Sequence, residues 1–118
     1  MNLYKETEAK LRENGKSIAD IIAVQGNDFG ITVEDFIELA KNTDYDDGYG
    51  GQEVASDLLV IGKNWWLERA EYDGSEWWEF KKFPKIKKNI QTIRALTGWS
   101  SEDLKGINTW GVENETEY

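Results

Sequence analysis

Residues 64–80 read NWWLERAEYDGSEWWEF. The stretch decides the fold because its centre, Asp73-Gly74, is the dipeptide that a two-residue type I′ hairpin loop demands: both central residues need positive φ. A two-residue loop fixes register. Tyr72 then faces Ser75, Ala70 faces Trp77, Arg69 faces Trp78, Glu68 faces Glu79, Leu67 faces Phe80 and Trp66 faces Lys81. Successive side chains point to opposite faces, so each Trp-Trp pair sends one ring to each side. A second two-residue loop at Lys63-Asn64 places Val60 opposite Leu67 and Ile61 opposite Trp66. One face then carries Leu58, Val60, Trp65, Leu67, Trp78 and Phe80. The other carries Leu59, Ile61, Trp66, Tyr72 and Trp77, interleaved with Glu68, Glu79 and Lys81.

Working outward, DLLVIG adds a strand before the hairpin, giving a three-stranded antiparallel meander over about 56–83. The segment SIADIIAVQGNDFGI has apolar residues on both sides of a Gly-Asn-Asp turn and predicts a strand pair over about 18–31. Residues 3–13 suit a helix that stops at Asn14-Gly15, held by a thin apolar set of Leu3, Tyr4 and Leu11. Thr32 caps a second helix over about 33–42, with Asp35 at the reciprocal capping-box position and Val33, Phe36, Ile37 and Ala40 at helical spacing. Pro84 opens a third, over about 85–97, whose stripe is Ile86, Ile90, Ile93 and Leu96, closed by Gly98. The expected fold is one α+β domain over 1–118, the sheet packed against helices 33–42 and 85–97, with 112–118 a mobile acidic tail.

The chain has 118 residues, no Cys and no His. Disulfides, thiol catalysis and Cys-ligated zinc are excluded, and so are nucleophiles activated by His. Chemistry would fall to carboxylates, Lys, Tyr or a hard cation. No apolar run reaches bilayer-spanning length, and the charged N-terminus lacks the apolar core of a signal peptide. A cytosolic protein is expected. The formal net charge is −9, unevenly distributed: residues 1–80 hold 18 acids against 7 bases, 81–100 hold six bases and no acid, and 101–118 return to −4. Such a field repels nucleic acid and attracts proteins with basic surfaces. The basic run Lys81, Lys82, Lys85, Lys87, Lys88 and Arg94 reads as a partner for the acidic half or as a solvated helix face.

Two features stand out as candidate sites. On the mixed hairpin face, Trp66, Trp77 and Tyr72 are candidate anchors for a partner, beside the like-charge pair Glu68 and Glu79. The alternatives are that the N-terminal elements cover this face, or that the two carboxylates act on a sugar against a Trp ring. The second feature is NTDYDDGYGGQE, residues 42–53. Asn42, Asp44, Asp46 and Glu53 fall at calcium-loop positions, but Asp47 stands where the turn Gly belongs and no second helix follows. Read differently, Asp44, Asp46, Asp47 and Glu53, with Tyr45 and Tyr49, form an acidic protrusion whose carboxylates can meet Arg or Lys as phosphates do. A plain solvated loop accounts for the same composition.

The stretch from DFIELAKN through DYDDGYGGQEVASDLLVIG to the hairpin resembles a family of small, functionally uncharacterised proteins of phages and prophages of Gram-positive bacteria. The shared signature is the GYGGQE loop, the DLLVIG strand and the WLERxEYDGxEWWEFK hairpin, and it covers about half the chain. The resemblance implies a phage context, in which small acidic proteins act against host defence, anti-CRISPR proteins and DNA mimics among them. The expected function is therefore a non-enzymatic inhibitor that occupies a basic nucleic-acid-binding surface of a host protein, such as a CRISPR effector nuclease. It would need no cofactor and would contact neither nucleic acid nor membrane directly. A metal- or ligand-binding accessory protein using loop 42–53 is the alternative, and a carboxylate enzyme the third reading.

Overall fold

The computed structural model describes residues 1–46, 48, 50–100 and 102–109. It divides into two compact units, Met1–Pro84 and Lys85–Tyr118. The first is an α+β fold: helix α1 (Leu3–Glu13), a 3-10 turn (Ile18–Asp20), strands β1 (Ala23–Gln25) and β2 (Gly30–Ile31), helix α2 (Val33–Lys41), and strands β3 (Leu59–Gly62), β4 (Trp65–Tyr72) and β5 (Ser75–Lys82). The five strands form one antiparallel sheet in the order β2-β1-β3-β4-β5.

The hairpin has the register that its turn chemistry dictates, from Trp65 opposite Lys82 to Tyr72 opposite Ser75. Asp73 and Gly74 both take positive φ, 51° and 87°, as a type I′ loop requires. At the β3–β4 loop Asn64 has φ 71°, and Val60 faces Leu67 as expected. Gly62 closes that loop because a Cβ there would sit 2.0 Å from the Trp65 ring. The strand pair is shorter than the apolar pattern suggests. Ile18–Asp20 winds into a 3-10 turn, its Ser17 N–H donating to Asp20 Oδ2 at 2.8 Å. The turn after β1 is drawn toward Asp57, which accepts the Asn27 N–H at 2.7 Å.

The core lies on one side of the sheet. Val24, Val60, Trp65, Leu67 and Trp78 are buried there together with Leu3 and Leu11 of α1 and Phe36 and Ala40 of α2. Trp65 stacks on Phe80 at 5.6 Å between centroids. Burying Leu67 or Trp78 contributes roughly 1.5–3 kcal/mol each. Helix α1 is capped by Asn2, whose Oδ1 accepts the Lys5 N–H, and it ends where Gly15 takes φ 72°. Its thin apolar stripe is completed by a polar residue, Thr7, which is fully buried. Helix α2 starts at Thr32, whose hydroxyl accepts the Asp35 N–H at 3.0 Å.

In the second unit the helix expected over 85–97 does not form: residues 85–93 are in neither helix nor strand, and Ile86 and Ile90 are each 87% exposed. The reason is physical. A short amphipathic helix draws its stability from burying its stripe. Lys85, Lys87 and Lys88 would crowd the positive end of the helix dipole, with no acid in 81–100 to offset them. Asn108 also holds the backbone at 94–95. Its Oδ1 accepts the N–H groups of Arg94 and Ala95 at 2.9 and 3.0 Å, and its Nδ2 donates to Ala95 O. Asn108 belongs to a short helix, α3, over 104–109. The expected acidic tail, 112–118, lies outside the described residues.

Candidate functional site

The two faces of the β4–β5 hairpin differ in chemistry. On the inner face a charge network sits in the core. Arg69, opposite Trp78, has no exposed side-chain surface. Its Nη2 donates to Glu76 Oε1 at 2.7 Å and to the Tyr45 hydroxyl at 3.0 Å, and its Nη1 donates to Glu6 Oε2 at 3.2 Å. The guanidinium lies 4.6 Å from the Trp78 ring centroid and 5.5 Å from that of Tyr45. Its Nε is buried with no hydrogen-bond partner among the described residues. Glu76 also accepts the Glu53 N–H at 2.6 Å and the Val54 N–H at 3.3 Å. Tyr45 donates to Glu6 Oε1 at 2.5 Å, and Trp78 Nε1 donates to Thr7 Oγ1 at 2.9 Å. Helix α1, loop 42–58 and the hairpin are thus tied at one point.

Electrostatics follow from this packing. Burial raises the Tyr45 phenol well above its ordinary value, and the bond to Glu6 raises it further, against the opposing pull of Arg69. For Arg69, burial pulls the pKa down, but hydrogen bonds to Tyr45 and Glu76 and the Glu6 charge outweigh it and leave the pKa raised. Arg69 is charged at any working pH.

This network corrects one expectation: Tyr45, expected to meet a partner, is buried and holds the loop to the core. Glu6, Thr7, Arg69 and Glu76 carry the architecture yet were not singled out. For Arg69 and Glu76 the two-residue alternation was the available signal, whereas nothing local marks Glu6 or Thr7.

The outer face holds the remaining hairpin candidates together. Tyr72 is 76% exposed and Trp77 37%, while Trp66, Glu68 and Glu79 are half-buried. Glu68 lies opposite Glu79, and each carboxylate has its own partner: Trp66 Nε1 donates to Glu68 Oε1 at 2.8 Å, and Lys81 Nζ lies 3.5 Å from Glu79 Oε2. These contacts offset the like-charge pairing. Beside them, Leu59, Ile61, Trp66 and Phe83 line an apolar hollow of about 330 Å³, where Trp66 and Phe83 meet edge to face at 5.2 Å.

In the acidic loop, Asp44, Asp46 and Glu53 are exposed. Asp44 accepts from Asn2 Nδ2 at 3.1 Å, Asp46 Oδ1 accepts the Gly48 N–H at 3.0 Å, and Glu53 Oε2 accepts the Asp46 N–H at 3.1 Å. Asn42 caps α2 and donates its side-chain N–H to Glu38 O. Among the described residues no group of three or more carboxylates is arranged to hold a metal ion. Asp47 and Tyr49 lie outside the described residues. The loop reaches the hairpin tip, with Gly50 O 3.1 Å from where a Cβ on Gly74 would stand. The loop carboxylates and exposed Tyr72 therefore share one end of the sheet. Among the described residues, no helix is long and apolar enough to cross a membrane. Comparison with family models, with curated proteins and with solved structures finds no match to this chain.

Proposed function

We propose that the chain is a non-enzymatic binding protein that occupies a basic, nucleic-acid-binding surface of a host protein, such as a CRISPR effector nuclease. The observation that carries this reading is the one-sided packing of the sheet. The core occupies the inner face, whereas Trp77 and Tyr72 stand exposed on the outer face beside Glu68 and Glu79. Trp and Tyr are the usual anchors of an interface, giving large contact area at low entropy cost. The net −11 of residues 1–80 supplies the steering field. Asp44, Asp46 and Glu53 present spaced carboxylates to cations that otherwise hold phosphates. Tyr45 has no part in the contact. The resemblance to small phage proteins agrees with a role against host defence, in the host cytosol.

The test is displacement of nucleic acid from a purified CRISPR effector nuclease. The chain should compete in a salt-dependent manner. The pair Trp77→Ala and Tyr72→Ala should weaken binding about thirtyfold, the scale of one hot spot. Changing Asp44, Asp46 and Glu53 to amides should weaken it and flatten the salt dependence. Unchanged affinity in both variant sets would remove the proposal.

A further inference from the structure

We propose that segment 85–97 is a conditional amphipathic helix that folds on an anionic lipid bilayer surface. Ile86, Ile90 and Leu96 are exposed, and Trp99 at the end of the segment is fully exposed. On a helix of 3.6 residues per turn, Ile86, Ile90, Ile93 and Leu96 fall within an arc of about 120°, over a length of about 15 Å. Lys87 and Arg94 would flank one edge of that arc and Lys85 the other, with Lys88 opposite. Apolar residues edged by cations are the pattern of a helix lying in the bilayer interface.

The occupant follows from charge and chemistry together. Residues 81–100 hold six cations and no acid, which complements an anionic headgroup layer. Nucleic acid would satisfy the cations but gives four aliphatic side chains nothing to bury against. The bilayer interface takes both, and it supplies the cover whose absence leaves the segment non-helical. The expectation of no membrane contact rested on the lack of a bilayer-spanning run, which a helix lying in the interface does not need.

The full chain should float with vesicles of phosphatidylcholine and phosphatidylglycerol and not with phosphatidylcholine alone, and its far-ultraviolet circular dichroism should gain helical signal on binding. Lys87→Gln with Lys88→Gln should weaken binding about thirtyfold, from the attraction of two basic residues to the anionic surface. Ile86→Ser with Ile90→Ser should abolish flotation and the helical gain. All four side chains are exposed, so near-ultraviolet dichroism of the Trp-rich unit should stay unchanged in both variants. Absence of flotation, equal binding to both vesicle types, or flotation surviving the Ile substitutions would overturn the proposal. So would retention of a DNA duplex by a chain that ignores vesicles.

Discussion

The inner and outer faces of the β4–β5 hairpin are built from similar residues and behave as different materials. Each has Trp and Glu, and each has one cation near a carboxylate. On the inner side Arg69 and Glu76 meet at 2.7 Å with no exposed side-chain surface; on the outer side Lys81 and Glu79 meet at 3.5 Å, each close to half exposed. The difference is the solvent. A desolvated pair cannot lose one member without leaving an uncompensated charge, whereas an exposed pair is screened and contributes little. Sequence composition therefore predicts neither energy nor role until burial is known.

The largest effect is expected from Arg69→Ala, which strands Glu6 and Glu76 in the core. It should cost about 3–5 kcal/mol in denaturant unfolding. A cost below about 1 kcal/mol would mean that the network does not hold loop 42–58 to the sheet. The neighbouring Trp residues give the next contrast. Trp78→Ala should cost about 3–5 kcal/mol, against less than about 1 kcal/mol for Trp77→Ala, measured in the same way; equal costs would show that the outer face is covered in solution. Thr7→Val tests one bond, since it leaves Trp78 Nε1 without an acceptor, and should cost about 1–3 kcal/mol.

Alkaline titration addresses Tyr45. Its folded pKa is raised above the ordinary 10.0, so its contribution to stability is complete below about pH 10 and declines as pH rises beyond that. The melting temperature should fall above pH 10, less steeply in Tyr45→Phe. The smallest expected effect is on the outer face: Glu79→Gln should change stability by no more than about 0.5 kcal/mol.

Much of the fold could be read directly. Asp73-Gly74 set the strand register and therefore the sorting of every hairpin side chain. Thr32 and the Asn14-Gly15 stop marked helix ends through contacts only a few residues long. The candidate site was legible in part, because Trp66, Tyr72 and Trp77 follow from alternation alone. The role of Tyr45 is not legible locally because its partners, Glu6 and Arg69, lie 39 and 24 residues away. The helix over 85–97 failed for a related reason: periodicity shows that a stripe exists, not that anything covers it.

Local geometry and charge follow from neighbouring residues alone: the type I′ turn, the Thr32 cap, the alternation of faces and the net −9. Long-range packing supplied what neighbouring residues could not, the distant partners of Arg69 and Trp78. Helix α1 brings Glu6 and Thr7 to Arg69 and Trp78, partners 63 and 71 residues distant in the chain. Turns and caps are set by steric and hydrogen-bond preferences within a few residues, whereas burial of an arginine needs carboxylates delivered from elsewhere in the fold.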